Sequence, residues 1–147
     1  MSNSSKPEPP DQWLFLLPTT SQFNEVVTTS KSVVTVHLDG FRTADVYGLM
    51  QEIAKEMHFP AYFGFNWSAL EDMLCDLEWL EVKDCCFVWN EGSRMLLNAP
   101  ADFFTFLDVF SIAAKWWHER GVDFQMWLQD DYVLKVAQYW KSAVIRI

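Results

Sequence analysis

Asp72 and Asp76 stand four residues apart with Glu71 beside the first, the spacing that sets two carboxylates on one face of a helix. Carboxylates so placed can hold Mg²⁺ for hydrolysis of a phosphodiester, or they can meet the arginines and lysines of a protein partner. They can also do no more than solvate the helix that carries them. Metal-dependent hydrolysis needs further parts, and the sequence contains no glycine-rich phosphate loop, no Gly-x-Ser-x-Gly elbow and no His-Glu-x-x-His. His37, His58 and His118 are scattered rather than at ligand spacing. Cys75, Cys85 and Cys86 are odd in number, and the vicinal pair would point to opposite faces of a strand, so they read as buried free thiols rather than a disulfide framework. No catalytic residue, cofactor or metal is expected.

Immediately before the acids, Tyr62, Phe63, Phe65 and Trp67 put four aromatics into six residues. That is more than a turn needs, and aromatics beside charges are typical of binding hot spots. Pro60 must stop any preceding helix, and Gly64 is expected to supply a sharp reversal. The helix that follows has two candidate starts: Asn66 as N-cap, or a capping box between Ser68 and Glu71. At about 100° per residue, Trp67, Leu70, Leu74 and Leu77 form one stripe, and Ser68, Asp72 and Asp76 form another on the opposite side. One face anchors and the other presents carboxylates.

The run P-x-Y-F-G-x-N-W-x-A-L-x-D-x-L, which begins at Pro60 and ends at Leu74, resembles the signature of the barstar family, small intracellular proteins that inhibit ribonucleases. The match is dense over residues 60–77 and continues over 33–129 as an order of elements. The resemblance implies that the turn and helix plug a ribonuclease active site, with carboxylates standing in for RNA phosphates. Tyr62, Gly64, Asn66, Trp67 and Asp72 are the matching contact positions, and Glu71 and Asp76 add negative field. Ser68 departs from the pattern, since many members carry aspartate there, and part of the usual acidic contact is missing. The implied partner is a basic ribonuclease or related toxin. The other reading of the same residues is a non-inhibitory interaction module for another cationic protein.

The elements that position these residues follow from composition and period. Of 147 residues, 50% are apolar and 16% aromatic, enough for one domain over 12–147 behind a Ser- and Pro-rich tail, 1–11, that is expected to be disordered. A formal charge of −9 disfavours contact with nucleic acid or an anionic membrane and favours a cationic partner. Acidity can serve solubility alone. Its placement is uneven, however: Glu71, Asp72, Asp76, Glu78, Glu81 and Asp84 fall within fourteen residues, with Lys83 the one base among them. No secretory signal or membrane-length apolar run occurs, so a cytoplasmic location is expected.

Residues 12–17, closed by Pro18, suggest an edge strand, and 33–38, before Asp39-Gly40, a first core strand. Thr43 is the expected cap of a helix whose apolar stripe is Val46, Leu49, Met50, Ile53, Ala54 and Met57. After the acidic helix, residues 85–89 read as a strand buried on both faces. A short helix is expected within 90–97. A longer one opens near Pro100, carries Phe103, Phe106, Leu107, Phe110, Ala113, Ala114 and Trp117 on its inner face, and ends at Gly121. Trp116 cannot share that face with Trp117 and is expected to lie flat on a neighbouring element, or to touch a partner. Residues 122–128 alternate as a third core strand, and Val133, Val136, Ala137, Trp140 and Val144 suggest a terminal helix. The sum is an α/β fold of the barstar kind: a small, mainly parallel three-stranded sheet flanked by helices, with extensions at both ends.

Overall fold

Runs of β-branched and apolar residues with no helical period have few ways to bury themselves except in a sheet, and three such runs form its longest strands. In the computed structural model, which describes residues 13–17, 33–76, 84–129 and 144–145, β2 (Val33–Asp39) pairs in parallel with β3 (Asp84–Asn90) from Val33↔Asp84 to Asp39↔Asn90. On its other side β3 pairs with β4 (Phe124–Gln129), from Cys85↔Phe124 to Asn90↔Gln129. These are the three strands read from the sequence.

The sheet does not stop at three strands. β1 (Leu14–Leu17) pairs in parallel with β4 on one side and with the two-residue β5 (Val144–Ile145) on the other, giving the order β2-β3-β4-β1-β5. The stretch expected at an edge thus lies inside the sheet. Its brevity and closing proline suggested an edge, whereas its partners, from Met126 onward, are far away in sequence. Val144 lies on a strand rather than on the expected terminal helix. The rest of that helix, the tail 1–11, and Leu77, Glu78 and Glu81 lie outside the described residues.

Among the described residues three α-helices connect the strands: α1 (Val46–Met57), α2 (Trp67–Leu74) and α3 (Phe103–His118). One core joins one sheet face, through Leu38, Phe87, Trp89 and Met126, to Leu49, Met50, Ile53 and Met57 of α1, Leu70 and Leu74 of α2, and Phe106 and Phe110 of α3. On the opposite face Phe15 stacks on Trp127 with ring centroids 4.5 Å apart, and Cys86 and Val88 are buried there too. Burial on both faces is why Cys85 to Trp89 carries no polar alternation.

The caps are mostly local. Asp45, not Thr43, caps α1, its carboxylate accepting from the Gly48 N–H at 2.7 Å. Thr43 is buried instead. Its hydroxyl accepts from Trp89 Nε1–H (3.3 Å) and donates toward the Asp39 and Gly40 carbonyls (3.2 and 3.3 Å). Ahead of Pro60, α1 ends in a left-handed residue, His58 (φ 57°), and the Phe59 N–H returns to the Ala54 carbonyl at 2.9 Å. Residues 90–97 hold a 3₁₀ turn, Gly92–Arg94, and Pro100–Asp102 forms another that leads into α3. Gly121, at φ 77°, turns the chain out of α3 as expected. Among the described residues no helix is long and apolar enough to cross a membrane.

Candidate functional site

The aromatic turn between α1 and α2 is built around a buried ring. Phe63 donates its N–H to the Pro60 carbonyl at 3.0 Å, is 5% exposed, and packs against Phe59 (5.0 Å) and Phe65 (4.9 Å). Phe65 in turn packs on Tyr47 of α1 at 5.6 Å. This row of rings explains where the chain reverses. Gly64 does not adopt a positive φ; Phe65 does, at 54°, a conformation that costs an ordinary residue about 1–2 kcal/mol and is held here by contacts on both sides of its ring. Tyr62, by contrast, is 76% exposed.

Asn66 resolves the choice between the two helix starts. Its Oδ1 accepts from the Ala69 N–H at 2.8 Å while its Nδ2 donates to the Gly64 carbonyl at 3.2 Å, so one side chain joins turn to helix. No capping box forms, and Asn66 acts as a brace. Along α2, Leu70 and Leu74 are fully buried, Met73 is buried beside them, and Trp67 is packed against the core. Ser68 and Asp72 are exposed on the other side, with Glu71 half-buried at the boundary. From Trp67 to Leu74, the helix has the two faces its period predicts.

The helix ends earlier than that period suggests. It stops at Leu74, with Cys75 as its C-cap, so the exposed Asp76 lies on the following turn, where its N–H meets the Met73 carbonyl at 3.1 Å. Trp117 of α3 closes this end by donating its indole Nε1–H to the Leu74 carbonyl at 2.7 Å. Trp116, next to it, is 39% exposed, and the Arg120 guanidinium covers its ring, with its carbon 3.2 Å from the ring centre.

Among the described residues, no ion pair holds Glu71, Asp72 or Asp76, and no group of three or more His, Cys, Asp or Glu side chains is placed to hold a metal ion. The Cys75 thiol feels the acids directly: burial first, then the charges of Glu71 and Asp72, push it up to about 11, against a smaller opposing pull from Arg120. Sequence reasoning missed Tyr47, which is 60% exposed and extends the aromatic row onto α1. The available signal was its place off the apolar stripe of that helix.

Residues 33–129 match the family model described as Barstar (barnase inhibitor). No curated protein matches the chain. Among solved structures the chain is similar to one described as the Aeropyrum Pernix ORC2 protein in ADPNP-ADP complexes, with 11% identity and a TM-score of 0.55 over 91% of this chain and 40% of that one. At that identity the likeness is one of fold, and this chain spans less than half of the other.

Proposed function

The chain belongs to the barstar family, whose model covers residues 33–129, and from that premise we propose that it is an inhibitor of the immunity or antitoxin type, acting inside the cell on a basic ribonuclease or related toxin. Binding, not turnover, is its activity. The observation that carries this reading is the exposed Asp72 on a helix whose opposite side, at Leu70 and Leu74, is fully buried, with the exposed Tyr62 on the turn that leads into it. A carboxylate on a helix anchored in this way loses little freedom on binding, so more of its interaction energy survives as affinity. Asp72 would face the arginines and lysines that otherwise hold RNA phosphate, with Glu71 and Asp76 adding field. Tyr62 and Trp67 supply contact area, while Gly64 and Asn66 shape the turn between them.

Ser68 supports a second reading. It is exposed on the acidic side of α2 with a hydroxyl where the family commonly has a carboxylate, which suits an interaction module for a cationic protein that need not be a ribonuclease. Mixing the purified chain with basic ribonucleases, then following RNA cleavage, tests both. Loss of cleavage at equimolar protein, recovered with Asp72→Ala, is the result expected of an inhibitor. Tight binding with cleavage undiminished would sink inhibition and leave the module.

A further inference from the structure

An open groove of about 650 Å³ runs beside the aromatic turn, lined by Arg42, Gly48, Gln51, Glu52, Lys55 and Phe65. Its wall holds an unusual group. Glu52 is 6% exposed, yet no described residue donates a hydrogen bond to its carboxylate, and its ion-pair partner Arg42 Nη1 stands 4.0 Å away, too far for one. Its oxygens keep some access to water on the groove side, and a group that displaces that water must donate in its place. The two cations that share the groove also face acids that do not line it, Arg42 with Asp39 (3.9 Å) and Lys55 with Glu56 (3.9 Å). Three acids thus stand against two bases, and the most buried of the three is the one on the groove.

Phe65 adds an aromatic face to the same groove. It is 40% exposed, and its neighbours Phe63 and Tyr47 fix its position from either side. A buried carboxylate and a fixed, part-exposed ring that line one groove suit a guanidinium or ammonium group, which can donate to the one and lie over the other. Phe65 also belongs to the turn between Tyr62 and Asn66, so the groove adjoins the acidic contact face.

We propose that this groove is a second docking pocket for the protein partner, taking one arginine or lysine side chain of a basic protein between the Glu52 carboxylate and the Phe65 ring. It rests on the reading of the chain as a binder of a cationic protein, and it extends the contact from α2 onto α1. The exposed Tyr47, next in sequence to Gly48 of the groove, widens the surface that such a partner would cover.

Titration of the ¹⁵N-labelled chain with N-acetyl-arginine amide, read by amide shifts, tests the pocket without any ribonuclease. Saturable shifts at Gln51, Glu52 and Phe65, weakened about tenfold by Glu52→Gln, are expected, since one charge-assisted hydrogen bond is lost. Phe65→Leu, which keeps the carboxylate and removes the ring, should weaken them too and serves if Glu52→Gln does not fold. Shifts that are absent, that survive both substitutions, or that inorganic phosphate reproduces would overturn the pocket. The ribonuclease assay separates the two proposals. A parent chain that inhibits, with Glu52→Gln inhibiting equally well, removes the pocket and keeps the inhibitor; arginine shifts in a chain that inhibits nothing do the reverse.

Discussion

The indole Nε1–H of Trp117 donates to the backbone carbonyl of Leu74 at 2.7 Å, tying the last turn of the acidic helix to the longest described helix of the fold. Carbonyls in the last turn of a helix have no partner within it, and this one is only partly accessible to water. Trp117→Phe keeps an aromatic ring and removes the donor. It should lower stability by about 1–2 kcal/mol in urea melts. An unchanged midpoint would mean that the bond adds nothing to holding α2.

Leu74 and Asp72 should separate anchoring from contact. Leu74→Ala leaves a cavity behind a fully buried side chain and should cost about 2–5 kcal/mol of stability. Asp72→Ala should change stability by less than about 0.5 kcal/mol, while weakening partner binding by about 2–5 kcal/mol, a range drawn in part from this family's own type complex. Added salt should slow association more than it speeds dissociation. Thermal melts and stopped-flow titrations check both variants; an Asp72→Ala protein that binds like the parent would place the contact elsewhere.

Asn66→Ala should cost about 1 kcal/mol, because the Ala69 N–H and the Gly64 carbonyl lose their shared side-chain partner. Faster amide exchange at Ala69 is the local signature. Ser68→Ala should leave stability nearly unchanged, since Ser68 is exposed and caps nothing.

Alkaline pH should destabilise the protein through its thiols. From an ordinary value of 9.0, burial pushes Cys75 up to about 11 and Cys86 up to about 12, and it raises Cys85 as well. Above about pH 9 the unfolded chain releases these protons while the folded chain keeps them, so stability present below that pH is lost as pH rises through the folded values. The urea midpoint should be lower at about pH 10.5 than at about pH 8, and Cys75→Ala should reduce the difference. A midpoint independent of pH over that window would contradict the burial of these thiols.

Much of the site was legible because its determinants are local. The two faces of α2 follow from helical period and the exit from α3 from one glycine, while the Asn66 cap was one of two local starts that the sequence allowed. Period also gave the inner faces of α1 and α3, and an unbroken apolar run marked β3 as covered on both sides.

Other features depend on residues distant in sequence, and no local pattern announced them. Leu14 meets Met126, so β1 lies inside the sheet; Thr43 meets Trp89, so its hydroxyl leaves the cap to Asp45; Trp117 reaches Leu74. Phe65, rather than Gly64, takes the left-handed turn because Tyr47 and Phe63 hold its ring, and Glu52 is buried although it lies off the apolar stripe of α1. Helical and strand periods report which face of an element is apolar. Which element covers that face is decided by packing between segments that no local spacing connects.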